Sequence, residues 1–382
     1  MRLNRVALVV AAVAVLMAFA WQDATVHCND QGKWIGLFSL GNHWPLPPQL
    51  ASENPGASGD AAGYDGVFYH LVAHDPWLTR GFWHFADNAS LRWRRILIPG
   101  FAHILAFGND AWIHQAYIAV NLLFIFAGSF WLARFSASHG MSAAWGSAFL
   151  LIPSVMVSID RLTIDTALAA LTIGFILYAC EGKYARSLFL LALCPLSRET
   201  GLSLSAGRAW QHICDREWRK LALTLLSILP FVLWCLFLLD RTPRDGTPWL
   251  SYPFVGILRR TLHPIQYPIT GKWIALAAAL DYLALIGVWL ALAFTVRLAL
   301  KRRMGVLENS AYVFAIAAIW LGKADIWGGA YEFGRTLSPL FIMLGLLAIR
   351  DKTRFFLAPV ICILPRILLQ FEPQMRGILR SF

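Results

Sequence analysis

The chain has 382 residues, of which 58% are hydrophobic and only 14% charged, and its mean hydropathy is +0.56. A soluble domain carries about 25% charged residues, so this composition excludes an ordinary water-soluble protein and points to a single polytopic membrane body over residues 1–382. The net charge of +11 reads as basic residues held on the cytoplasmic side of a membrane, and nucleic acid is not expected as a partner.

The chain opens on two basic residues, Arg2 and Arg5, followed by an apolar run from Val6 to Ala20. Ala18-Phe19-Ala20 has the small-x-small pattern of a cleavage site, and an uncleaved first helix with its amino end inside fits the same run. From Trp21 to about Trp112 the sequence is polar and rich in Pro, Gly, Asp and His, which predicts a large loop. Within it, Val67, Phe68, Leu71 and Val72 have helical spacing and predict a short amphipathic helix lying on the membrane. Asp65 falls at the start of that helix, where an aspartate either caps the backbone or, beside a membrane, takes a proton from an acceptor hydroxyl. Arg92-Trp93-Arg94-Arg95 then leads into Ile96–Phe107, whose length suits an interfacial or re-entrant helix. Arginines at such a boundary suit a lipid phosphate, because a guanidinium meets phosphate oxygens in a planar fork, or they anchor in headgroups.

Further spans are predicted near 112–134, 142–159, 161–180, 185–197, 200–210, 219–239, 272–298, 309–322, 334–349 and 354–370. With the first helix this gives an all-α bundle of about ten to twelve spans, several short or broken at Pro153, Pro195, Pro230 and Pro339. Basic residues gather in alternate connections, at Lys183 and Arg186, Arg216 to Lys220, Arg297 to Arg303, and Arg350 to Arg354. The positive-inside rule makes that side cytoplasmic and places the 21–112 loop, the 240–271 loop and the remaining turns outside.

Charges at membrane depth cost several kcal/mol, so they are expected in pairs or around a functional cavity. Three more outer clusters qualify. In Asp160-Arg161-Leu162-Thr163-Ile164-Asp165, Arg161 and Asp165 are four apart, the spacing of a pair on one helix face, which leaves Asp160 over. Ser197-Arg198-Glu199-Thr200-Gly201 reads as a hairpin tip, where Arg198 and Glu199 are expected to neutralise each other. Tyr331-Glu332-Phe333-Gly334-Arg335 opens a late span, with Pro339 one turn further in.

His70 and His74 share a helix face, with Asp75 and His84 nearby, a spacing that can hold zinc. Ten histidines make such a pair easy by chance, and the six cysteines have no metal-ligand spacing, so no metal site is expected. There is no P-loop, dinucleotide fingerprint or nucleophile elbow.

The order of these clusters resembles the GT-C superfamily of membrane glycosyltransferases, and within it a broad bacterial group of GT-C-like membrane proteins. The resemblance is carried by Tyr64-Asp65-Gly66 with Asp75-Pro76, Arg92 to Pro99, Asp160 to Asp165, Arg198 to Thr200, and Arg335 to Pro339, over roughly residues 1–350. It implies a bacterial inner-membrane enzyme with its active face outside the cytoplasm. Such an enzyme moves a sugar, with inversion, from a polyprenyl-phosphate lipid to a glycan, lipid or protein acceptor. By the same resemblance Asp65, with Asp160 as a second candidate, is the catalytic base. Arg94, Arg95, Arg198 and Arg335 receive the donor phosphate, and Tyr64, Tyr69, His70, Glu199 and Glu332 bind substrate. Many members carry a second acidic residue beside the first-loop aspartate; here Gly66 stands there, so no cofactor is expected. A lipid-linked sugar flippase or other transporter, and a noncatalytic envelope-assembly protein, would also place charges in the membrane. A transporter needs a polar path to both faces, whereas the clusters above lie on one.

Overall fold

The computed structural model describes residues 2–41, 44–53, 63–243, 249–265 and 272–381. Parts of the Pro/Gly-rich 45–63 stretch and of the 240–271 loop lie outside the described residues. Among the described residues the fold is all-α, with one isolated antiparallel bridge, Leu250 to Leu321. Five helical stretches have the length and apolarity to cross a membrane: Asn4–Asn29, Asp110–Ser138, Trp218–Leu239, Trp273–Leu300 and Ala330–Arg350. Two bent pairs raise this to seven, Ala143–Leu151 with Pro153–Arg161 at 62° and Arg354–Gln370 with Glu372–Arg380 at 46°. Three further apolar helices, Asp165–Cys180, Tyr184–Ser197 and Val306–Trp320, are shorter than a full span, and the helix over the expected 200–210 span, Leu202–Cys214, is not among the apolar ones.

The first helix, α1 (Arg2–Asn29), turns a stripe of small residues inward. Ala7, Ala11, Ala14 and Ala18 are buried, while Leu8, Val9, Leu16 and Met17 are exposed. Small side chains let helix backbones approach closely where lipid supplies no hydrophobic drive for association. The polar loop that follows holds α2 (Gly66–His74), α3 (Ala89–Arg94) and α4 (Leu97–Leu105). All nine residues of α2 are buried. It is therefore enclosed by the protein and does not lie on a surface as its spacing predicts. α4 is two-sided: Leu97, Ile98 and Ala102 face inward, and Phe101, Ile104 and Leu105 are exposed.

α5 (Asp110–Ser138) is the central span. A Cβ on its Gly128 would come within 2.2 Å of the Phe149 ring, which is how closely the 3-10 segment Ala143–Leu151 is pressed on it. Pro153, lacking an N–H, starts α6 (Pro153–Arg161) and sets the bend. The chain then runs through α7 (Asp165–Cys180), α8 (Tyr184–Ser197) and α9 (Leu202–Cys214). The next span is split into α10 (Trp218–Leu226) and α11 (Leu229–Leu239) just before Pro230. α12 (Val255–Leu262), α13 (Lys272–Leu300), α14 (Val306–Trp320) and α15 (Ala330–Arg350) follow. α16 (Ala358–Gln370) and α17 (Glu372–Arg380) close the fold.

Charges collect at two ends of this bundle. Arg335 begins one end of α15, and Arg350 closes the other, where it meets Glu308 at 2.5 Å and Arg303 meets Asp351 at 2.5 Å. At 1.5 Å per residue the two arginines are about 22 Å apart along the axis. Between them α15 is apolar from Pro339 to Ile349.

Candidate active site

The site begins with a glycine. A Cβ on Gly66 would stand 2.4 Å from the Arg161 carbonyl oxygen and 2.7 Å from that of Phe38. Only glycine lets the start of α2 approach the end of α6 this closely. The Tyr64 amide donates to the Ser39 carbonyl at 2.9 Å, fixing the strand of chain that delivers Asp65. Asp65 occupies the N-cap position of α2, but its side chain makes no cap hydrogen bond. It reaches instead across the molecule, accepting from Arg92 at 2.8 Å and from Arg335 at 2.5 Å.

Around this carboxylate lies a network of four arginines and four acids. Arg92 also forms a fork on Asp87, at 2.8 and 2.7 Å. Tyr69, one turn along α2 from Asp65, accepts from Arg92 at 3.2 Å and from Arg95 at 2.8 Å. Arg95 forks on Glu199 at 2.9 and 2.5 Å. Arg198 donates to Asp165 and, at 3.1 Å, to Thr336. Arg335, whose Nε lies 3.5 Å from Asp165, links that acid to Asp65, while the Arg95–Glu199 and Arg198–Asp165 pairs are joined through the adjacent backbone of residues 198 and 199. Among the described residues the buried Nε and Nη1 of Arg335 and Nε of Arg198 make no hydrogen bond. Burial would raise the Asp65 pKa, but the Arg92 and Arg335 guanidiniums outweigh it and hold the carboxyl well below the usual carboxylate range. Burial likewise opposes ionisation of Glu199, and Arg95 overcomes it, pulling the pKa down to about 2.

Two pairings differ from the sequence expectation. Arg161 does not pair with Asp165; it donates to Asp160 at 3.0 Å and to Ser39 at 2.8 Å. Leu162 adopts the left-handed conformation, with φ 43°, and ends α6, so residues 161 and 165 sit on different helices and the four-residue rule does not apply. Arg198 and Glu199 do not neutralise each other either. Arg198 is extended, with φ −159° and ψ 138°, so the two side chains leave in opposite directions, toward Asp165 and Arg95.

Asp160 is joined to this network through aromatic rings. It accepts from Tyr331 at 3.3 Å and Gln374 at 3.4 Å, and Tyr331 packs edge-on against Tyr64 at 5.5 Å. The Arg335 guanidinium lies 5.2 Å over the Tyr64 ring. Beside these rings is a cleft of about 370 Å³ whose walls include Tyr64, Arg161, Tyr331, Glu332 and Arg366. A second, larger groove of about 690 Å³ is mostly apolar and is lined by Trp145, Pro153, Phe341 and Ile342, with Lys352 and Arg354 at its far end. Ile342, seven residues along α15 from Arg335, lines both this groove and a narrow crevice walled by Asp165, Arg198 and Arg335.

Of the residues expected in the site, Tyr64, Asp65, Tyr69, Arg95, Asp160, Arg198, Glu199, Glu332 and Arg335 are brought to this region. Arg94 is not; it donates to Ser90 at 3.2 Å on its own helix, one residue out of phase with the inward-facing Arg92 and Arg95. Arg92, Asp87 and Asp165 are members not expected in the site: in the sequence Arg92 stands in the arginine run without a role of its own, Asp165 reads as the partner of Arg161, and Asp87 carries no signal.

His70 belongs to another cluster. Its Nε2 lies 2.8 Å from Nε2 of His114 on α5 and 3.0 Å from Nε2 of His74. Asp75 and His84 take no part: Asp75 accepts from the Thr79 and Arg80 amides at 2.8 and 3.0 Å, and His84 stacks on Trp83. No family model matches the chain, and no curated protein and no solved structure matches it.

Proposed function

We propose that this protein is a membrane glycosyltransferase of the GT-C type, moving a sugar with inversion from a polyprenyl-phosphate donor to an acceptor on the extracytoplasmic face of a bacterial inner membrane. The observation that carries the reading is Asp65 held between Arg92 and Arg335, with Nη1 of the buried Arg335 guanidinium making no hydrogen bond. The Tyr64 ring under that guanidinium lines a polar cleft with room for a sugar or acceptor, and further along α15 Phe341 and Ile342 line an apolar groove with room for a lipid tail. A buried donor without a partner costs about 1–3 kcal/mol, and a phosphate oxygen would supply the partner that Arg335 lacks.

The chemistry follows from the charges. The acceptor hydroxyl loses its proton to a base while its oxygen bonds to the anomeric carbon; the bond from that carbon to the phosphate oxygen breaks, and negative charge gathers on the leaving phosphate. Arginines already in place stabilise that charge more in the transition state than in the ground state. Asp65 held by two arginines is a weak base. A donor phosphate that draws Arg335 toward itself removes one of those cations and makes Asp65 more basic, so donor binding switches the base on. Tyr64, Tyr331 and Glu332 on the cleft wall are suited to hold the sugar and acceptor. The apolar middle of α15 separates the two charged ends, which favours transfer on one face over passage through the protein.

The test is a panel of polyprenyl-phosphate sugars offered to the purified protein with acceptors extracted from its membrane. Release of free polyprenyl phosphate together with a glycosylated acceptor supports the proposal. Absence of both binding and turnover across the panel contradicts it.

A further inference from the structure

We infer that His70, His74 and His114 form a transition-metal site, suited to Zn2+, that fastens α2 to α5. The three residues bring one ring nitrogen each to within 4.8 Å of the others, and His70 and His74 are fully buried. Two of the separations, 2.8 and 3.0 Å, are a little under the roughly 3.3 Å between nitrogens that share a tetrahedral zinc at 2.0–2.1 Å. A small outward rotation of the rings makes room for the ion.

Proton bookkeeping favours a metal over a hydrogen-bonded trio. His74 Nδ1 lies 2.6 Å from Asp110 Oδ1, and Arg80 forks on the same carboxylate at 2.7 and 2.9 Å. An ionised Asp110 fixes the His74 proton on Nδ1, which leaves the neutral ring a lone pair at Nε2. To satisfy His74, His70 Nε2 must then carry a proton, and it has no lone pair left for His114. If His74 is an imidazolium instead, His70 accepts from it and has nothing to offer a second donor. In either state one of the two short contacts faces the wrong way. A cation accepts all three lone pairs at once. The Asp110-to-His74 contact is also the outer-shell arrangement that orients metal-bound histidines and raises their basicity. Three imidazoles suit Zn2+, Co2+, Ni2+ or Cu2+, with a fourth position for water. Phe38, whose ring lies 4.7 Å from His70 and 5.7 Å from His114, forms an apolar wall.

The site bears on α2 as a whole. His70 and His74 present one face of that helix, while Asp65 and Tyr69 present the next face to the arginines, so a metal at the first fixes the angle of the second.

The experiment is elemental analysis of the full-length protein purified without chelator, followed by chelation, readdition and thermal unfolding. One equivalent of a single transition metal is expected, with unfolding at lower temperature after chelation and recovery on adding Zn2+. Co2+ is expected to bind in its place and give visible bands of a tetrahedral site. His114→Gln should abolish uptake, Asp110→Asn should weaken it about ten- to a hundredfold, and His103→Gln on the neighbouring α4 should leave it intact. If the histidine variants do not fold, the wild-type chelation and recovery cycle decides. Folded wild-type protein that takes up none of Zn2+, Co2+, Ni2+ or Cu2+, or that takes them up no better than His114→Gln, would overturn the inference.

Discussion

Asp65 holds two guanidiniums of different standing. Arg92 is also tied to Asp87 by a fork, whereas Nη1 of Arg335 makes no hydrogen bond and its Nε lies 3.5 Å from Asp165. A phosphate therefore competes for Arg335 more readily than for Arg92. Arg335→Ala is expected to weaken donor binding roughly tenfold or more, since a charged hydrogen bond is worth about 1.5–3 kcal/mol. Arg335→Lys should recover only part of it, because lysine lacks the planar fork, and Arg94→Ala should leave donor affinity unchanged when measured by titration in detergent. Glu199 gives a pH signature. Its folded pKa of about 2 lies below the ordinary 4.5, so its stabilisation is present above pH 4.5 and is lost as the pH falls toward 2. The unfolding temperature should be level from about pH 7 to 5 and decline below, and in Glu199→Gln that part of the decline should be missing. At this scale the participants were readable: charges in an apolar chain must be paired or used, and Asp65, Arg95, Arg198 and Arg335 stood out for that reason. Their partners were not readable. A carboxylate meets a guanidinium from a distant helix, and the local spacing of Arg161 and Asp165 pointed to a pair that the left-handed Leu162 forbids.

Helix α2 carries both candidate sites, and its seat depends on the absence of a side chain at Gly66. The oxygens a Cβ would meet at 2.4 and 2.7 Å belong to backbone, which cannot swing aside. Gly66→Ala is therefore expected to cost about 1–3 kcal/mol as overpacking and to reduce transfer with it. Thermal unfolding and turnover of the same preparation would check both. The prolines foretold helix breaks at Pro153 and Pro230, where the missing N–H falls at a helix start, but Pro195 and Pro339 lie inside α8 and α15, which run on through them. That α2 is buried on every face was not foretold: its apolar spacing fits a surface helix, and its remaining residues, Tyr69, His70 and His74, are covered only because arginines and His114 arrive from elsewhere.

At the scale of the molecule, α15 carries charge toward both ends with an apolar stretch between them, and the proposed function requires the Asp65 end to face outside the cytoplasm. In a variant with the six native cysteines replaced, single cysteines at Trp77 and at Lys301 should differ in labelling by an impermeant reagent applied to intact cells. Trp77 is expected to react and Lys301 to be protected; the reverse pattern would put the site in the cytoplasm and remove the lipid-linked donor from its reach. The all-α membrane class was legible because composition and run length decide it. The enclosure of the first loop was not, since it depends on contacts between residues far apart in the chain.

The central claim is that Asp65 is a base next to a bound donor, and Asp65→Asn tests it most directly. The change keeps size and part of the hydrogen bonding but removes the proton affinity, and general-base catalysis contributes about 10²–10⁴-fold. Transfer from the donor and donor affinity are measured on one folded preparation, with thermal unfolding as the control. The predicted result is transfer reduced by about two to four orders of magnitude with donor still bound. Wild-type transfer by a folded Asp65→Asn protein would contradict the account.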